Sequence, residues 1–273
     1  MKKTFPLFLF GLLFSMVIFA QRPTIYIAPF AYEGKDVRGL LPSFRAAVLD
    51  GINRSMRVKI LDGQADTLKT NLMGTAAFLK ADYLFKCEML NHNVTDVLNL
   101  IKTVQNAVDK KSSSITDQIS YRVELIRVSD GTSVSIHKFD RTGYDYDYYK
   151  NGQALAGATN DALVRVRAQM FAYMESLFPL KGDIVEVAEE KNGKLKKVYI
   201  NLGNNAFVHR ETFFNVYVER TVANEIVRDF VGIVRLDEIK GDNISLCSVR
   251  KGDKAIKAAL DKGVKLKIVS TVR

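Results

Sequence analysis

The sequence predicts a layered α/β domain, a mixed sheet with helices, followed by a smaller all-β domain, either barrel or sandwich. Three observations carry this. β-like and helix-like runs alternate as far as Pro179, which is the grammar of a layered α/β unit. After Pro179 the runs become short, β-like and separated by turn residues, with little helix between them. Finally, the chain beyond its first twenty residues has roughly 250 residues, more than one typical domain needs and enough to bury two cores.

The elements follow in order. Residues 24–28 (TIYIA) are a short β-rich run stopped by Pro29, which has no N–H to give a ladder. Leu40, Phe44, Val48 and Ile52 recur every four residues, with Leu41 beside them, and form one apolar helical face. A second strand is expected over 57–61. Asp62 then offers its carboxylate as the N-cap of a helix carrying Ala65, Leu68, Leu72, Ala76 and Leu79 on one face. Residues 82–90 read as a third strand. Residues 119–128 and 133–141 read as two more, joined by the hairpin dipeptide Asp130-Gly131. A long helix with a stripe of Leu155, Ala162, Val166, Met170, Tyr173 and Leu177 closes the domain before Pro179. Between the third strand and the hairpin, Val94, Val97, Leu98, Ile101, Val104 and Val108 fit a 3.6-residue period better than alternation. A helix over 94–110, packed on the sheet, is expected there.

Beyond the boundary at 179–182, β-like runs are expected at 183–188, 196–202, 212–220, 227–239, 243–249 and 264–272. Asn192-Gly193 and Gly241-Asp242 mark tight turns, and a short helix is expected over 254–260. The predicted organisation is therefore a leader over 1–20, an α/β domain over 22–178 and a β-rich domain over 182–273.

The leader follows from Lys2 and Lys3, an almost unbroken apolar run over 7–20, and Ala20 as the small residue before a cut. That order describes a secretory signal peptide. Gln21, Arg22 and Pro23 end the run short of the roughly 20 apolar residues a membrane span requires. The expectation is an exported chain beginning at Gln21, periplasmic or associated with an outer membrane, with no transmembrane segment after cleavage. The formal net charge is +10, of which Lys2 and Lys3 carry two, leaving +8. Lysine is locally dense over 191–197 and 250–267, but most charge is scattered. A basic exported chain suits anionic surfaces or ordinary solubility, and the compartment argues against nucleic acid.

Chemical motifs are missing from the sequence. Cys87 and Cys247 could pair in an oxidising compartment, yet each lies in an apolar strand-like run of the kind that hides inert thiols. His92, His137 and His209 are far apart and show no metal-ligand spacing. There is no G-x-S-x-G nucleophile elbow and no phosphate-cradling glycine pattern. No catalytic, metal or cofactor residue is assigned, and no cofactor is expected. The local feature that stands out is GYDYDYYKNG over 143–152. Its tyrosines Tyr144, Tyr146, Tyr148 and Tyr149 supply broad, rigid contact area at low entropic cost and form a candidate partner-binding patch. The alternative is an edge strand whose tyrosines lie over the core.

Three runs carry a family resemblance: IYIAPF at 25–30, GINRSMRVKILD at 51–62 and LKADYLFKCEM at 79–89. Through them residues 24–178 resemble the family of the curli secretion channel subunit and the lipoprotein activator of penicillin-binding proteins. VYINLGNNAFVHRETFFNVY at 198–217 is similar to the β-rich C-terminal module of a flagellar-assembly periplasmic protein. The resemblance implies the α/β fold and an envelope-assembly setting. It does not bring the channel's pore, because no lipid-bearing Cys follows the leader and neither 91–118 nor 143–151 alternates as a membrane strand does. The function expected is that of a non-catalytic envelope accessory or assembly factor working through protein–protein contacts. A homo-oligomeric secretion component and an envelope hydrolase with a site assembled only in three dimensions are the alternatives.

Overall fold

The computed structural model describes residues 22–32, 39–62, 71–100, 111–140, 145–148 and 154–272, with side chains not described at 93–100, 111–117, 145–148 and 154–156. The expected leader lies outside these residues.

The first part is a mixed sheet built from β1 (Thr24–Ile27), β2 (Ala31–Tyr32), β3 (Lys59–Asp62), β4 (Tyr83–Leu100), β5 (Lys111–Arg127), β6 (Ser133–Phe139) and β7 (Asp145–Tyr148). Its order is β3-β1-β4-β5-β6, with β2 added to β4 and β7 to β5. β1 runs parallel to β3 and β4, and β4, β5 and β6 are antiparallel neighbours. The near-continuous apolar run of β1 fits a central strand covered on both faces. Ile25 and Ile27 enter one core, and Tyr26 and Ala28 the other.

Helices α1 (Leu40–Ser55) and α3 (Ala154–Leu177) cover one face. The four-residue spacing is realised as expected, since Leu40, Phe44, Val48 and Ile52 from α1 meet Ala162, Val166, Met170 and Tyr173 from α3 in the main core. Their close crossing requires Gly51. A Cβ there would stand 2.5 Å from the Arg167 carbonyl oxygen, inside van der Waals contact. Aromatic side chains lock this face, with Phe44 edge-on to Tyr121 at 5.2 Å and Tyr121 stacked on Phe139 at 4.6 Å. Such pairs add about 0.5–1.5 kcal/mol each beyond their burial. Among the described residues the other face receives only the seven-residue α2 (Leu72–Phe78).

One expectation fails here. The predicted helix over 94–110 is not formed where it can be seen. β4 continues to Leu100, β5 starts at Lys111, and the two stay in register from Val94 opposite Asp117 to Leu100 opposite Lys111. Residues 101–110 lie outside the described set. The β-branched residues Val94, Thr95 and Val97 favour a strand, and the ladder already formed by 83–92 with 118–127 only needs to continue. Asp62 ends β3, the strand expected over 57–61, and pairs with Arg45 of α1. The helix start expected after it lies outside the described residues, while Asn71 caps α2 by accepting from the Gly74 N–H at 2.8 Å. Ala65 and Leu68 lie outside the described residues.

The second part is a closed six-stranded barrel. Its strands are β8 (Lys181–Lys191), β9 (Lys194–Ile200), β10 (Phe213–Val222), β11 (Glu225–Ile239), β12 (Ser245–Lys251) and β13 (Leu266–Thr271), in the order β10-β11-β12-β9-β8-β13. Asn192 and Gly193, both at positive φ, make the β8–β9 turn that their dipeptide predicts. Of barrel and sandwich, the barrel is formed. Val198, Ile200, Phe214, Val216, Leu236 and Ile268 fill its interior. Helix α4 (Asp253–Asp261) inserts Ile256, fully buried, against Gly232.

Candidate functional site

The mixed sheet has one finished face and one half-finished one. On the half-finished face, register sets Lys86 opposite Glu124 and Glu88 opposite Arg122. The side chains pair along those rungs, Lys86 Nζ to Glu124 Oε2 at 3.6 Å and Arg122 Nη2 to Glu88 Oε2 at 2.5 Å. Between this charged checkerboard and α2 lies a shallow depression of about 210 Å³, whose apolar wall is Ala28, Pro29 and Leu72. On the neighbouring strand Val134 is 40% and Ile136 64% exposed. An apolar hollow rimmed by charge is the anatomy of a contact surface.

The same region has an open edge. β6 pairs with β5 from Tyr121 to Ile126, and β7 pairs with β5 from Ser113 to Thr116, so the two lie end to end along one side of β5. Among the described residues no strand lies beyond them. Two tyrosines of the candidate patch are placed by this register, Tyr146 opposite Ile115 and Tyr148 opposite Ser113. Tyr144 and Tyr149 lie outside the described residues. The alternative of an edge strand is therefore formed over 145–148, paired with the part of β5 that runs beside the far end of β4.

A second arrangement went unseen in the sequence. Where the two parts of the chain meet, Arg57 Nη2 donates to Glu175 Oε2 at 2.7 Å with both side chains almost fully buried. Arg57 Nη1 also donates to the carbonyl of Phe207, at the end of a 3₁₀ turn between β9 and β10. His209 Nε2 lies 3.2 Å from the Ser55 carbonyl oxygen, and its ring stands 6.1 Å from that of Phe171. Arg22 caps the Phe207 ring at 3.9 Å. These residues tie the C-terminal ends of α1 and α3 to the barrel and make the seam a packed, hydrogen-bonded joint. Arg57 and Glu175 are far apart in the sequence, and no local signal links them.

The remaining reactive groups have structural partners. Cys87 and Cys247 are free thiols buried in different cores, so the pairing considered from the sequence is not formed. Desolvation raises Cys87 well above the ordinary thiol range and pushes Cys247 up to about 12. Both are poor nucleophiles as a result, since the thiolate is the reactive form. His137 stands edge-on to Phe139 at 4.4 Å. Among the described residues no group of three or more His, Cys, Asp or Glu is placed to hold a metal, and no helix is long and apolar enough to cross a membrane.

No family model matches this chain, and no curated protein matches it. Solved structures do. A single-residue variant of the PelC dodecamer from Paraburkholderia phytofirmans is 15% identical and aligns over 54% of this chain and 88% of its own, with a TM-score of 0.32. The hypothetical protein CT253 from Chlamydia trachomatis is 10% identical over 57% and 99%, with a TM-score of 0.38. Lipoprotein GNA1162 from Neisseria meningitidis is 13% identical over 54% and 99%, with a TM-score of 0.31. Scores this low carry neither fold nor function across to this chain.

Proposed function

We propose that this chain is an exported envelope accessory or assembly protein that works without catalysis, by docking a protein partner on the open side of its mixed sheet. The supporting observation is the coincidence, among the described residues, of an outer edge with no further strand on it, β6 followed by β7, with a sheet face that α2 covers only in part. An extended partner segment would add to that edge through main-chain hydrogen bonds. Ile136 on β6 would then lie against its side chains. Export is supported by the order of charge, apolar run and small residue in the first twenty positions.

The envelope-assembly setting is what the resemblance to the curli-channel and penicillin-binding-protein-activator family implies. A photo-crosslinking residue at Ile136, with a control at the exposed barrel residue Val185, tests the reading in intact envelopes. One discrete protein adduct at position 136 and none at 185 is expected. Equal, diffuse labelling at both would overturn it.

A homo-oligomeric assembly is the second reading, favoured by the β4–β5 extension with β7 on its side. In that case the edge of one copy would be covered by another. Light scattering separates the readings, because a strict monomer at high concentration excludes the second.

A further inference from the structure

Among the described residues the barrel is joined to the α/β part at one end and free at the other. Phe207 and His209 make the joint. At the opposite end β13 begins only at Leu266, whereas β8 runs on to Lys191 and β10 to Val222. The β8–β9 and β10–β11 hairpins therefore project past their neighbours at the free end. The antiparallel pairing of β9 with β12 brings the end of β12 to the same place. So does the contact of Lys257 Nζ on α4 with Glu190 Oε2 on β8, at 3.0 Å.

This geometry gathers two lysine-rich runs that lie far apart in the sequence. Several carboxylates here are already engaged: Glu189 with Lys197, Glu190 and Asp261 with Lys257, Glu219 with Arg228, and Asp229 with Arg220. Lys191, Lys194 and Lys196 from the first run are exposed and have no ion-pair partner among the described residues. Arg250, Lys251 and Lys254 from the second are in the same condition. They outnumber the unengaged carboxylates of this end, Glu186, Glu225 and Asp253. The free end is thus a cationic surface, although the chain's charge looks scattered when read in order.

Apolar groups project from the same end. Ile226 is 68%, Phe230 46% and Val222 45% exposed on the β10–β11 hairpin. Lys251 Nζ lies 5.6 Å from the centre of the Phe230 ring, so the hairpin and the cations are contiguous. An acidic polysaccharide would satisfy the lysines and leave these side chains in water. A bilayer with anionic headgroups satisfies both, with phosphates for the cations and the acyl boundary for the tip.

We propose that the free end of the barrel docks on an anionic phospholipid surface, its unpaired lysines meeting the phosphates and the Val222 and Ile226 tip entering the interface. This stands independently of the partner assigned to the mixed sheet.

Vesicle co-sedimentation of the processed chain tests it. The chain should bind phosphatidylcholine vesicles containing about one-third phosphatidylglycerol, ignore pure phosphatidylcholine, and be released by high salt. The triple variant K191Q/K194Q/K254Q should partition about a hundredfold more weakly, at roughly fivefold per lysine. Because the chain contains no tryptophan, I226W is a single reporter, and its emission should shift to the blue on the anionic vesicles only. Equal binding to neutral vesicles, wild-type binding by the triple variant, or an unshifted I226W spectrum would each overturn the proposal. Retention on an immobilised acidic polysaccharide without vesicle binding would replace the lipid with a glycan.

Discussion

Glu175→Gln tests whether the joint between the two parts is held by charge. The substitution keeps the shape of the side chain and removes its charge from beside Arg57. The two side chains are 7% and 2% exposed, so water cannot replace what is lost. Removing one partner of a buried ion pair costs about 3–5 kcal/mol, because the other charge is stranded. Two features here pull toward the lower end. Arg57 Nε and Glu175 Oε1 find no hydrogen-bond partner among the described residues, so the native pair is itself incompletely satisfied. The glutamine carbonyl can also still accept from Arg57, which keeps its bond to the Phe207 carbonyl. A loss of about 2–4 kcal/mol is expected, which at roughly 2–4 °C per kcal/mol lowers Tm by about 4–15 °C. Differential scanning calorimetry reads this directly and shows whether the sheet and barrel transitions separate once the joint weakens. The double variant R57M/E175L should recover most of the loss, since an apolar pair of similar volume often matches a buried ion pair. A Glu175→Gln protein within about 0.5 kcal/mol of wild type, or a double variant as unstable as the single, would refute the reasoning.

Three further outcomes are expected. Neither thiol should react with a thiol reagent at pH 8 in the native protein, and both should react in denaturant. The folded Cys247 keeps its proton until about pH 12 against an ordinary value of 9.0, so stability is full below pH 9 and declines as pH rises toward 12, which urea titration at several pH values would show. A flat profile over that range, or native-state labelling at pH 8, would count against the buried assignment. Ala223 occupies the left-handed region at φ 51 beside Asn224 at φ 68, in the two-residue β10–β11 turn. Alanine is poorly suited there, and Ala223→Asn should stabilise by about 0.5–1 kcal/mol in urea unfolding, with unchanged or reduced stability as the contrary result.

The legible parts of the sequence were those whose instructions are local. Leu40, Phe44, Val48 and Ile52 announce a helix face because four residues nearly complete a turn, and α1 buries that face. Asp130-Gly131 announces a turn, and Gly131 sits there at φ 70. The illegible parts depend on distant partners. Val94, Val97 and Leu98 fit a helical period better than alternation, yet they lie on a strand. Their partner run at 111–117 is largely Ser, Thr and Lys, which gives no β signal of its own. Only the ladder already set by 83–92 decides the matter. Asp62 pairs with Arg45 of α1, a partner that only the fold brings to it. Of the candidate patch, the register explains Tyr146 and Tyr148 as edge-strand residues. The ion-pair rungs Lys86–Glu124 and Glu88–Arg122 need the β4–β5 register before they can be recognised.

The Ile256 side chain seated against Gly232 has a consequence for how the barrel can change over time. With six strands the bore is no wider than the side chains that fill it, and α4 stoppers it. The module is a solid peg, unable to carry cargo through its middle. New capacities can therefore accrue only on the outside, by lengthening or recolouring the hairpins at its tip. Such changes leave the packed centre untouched and need no new fold.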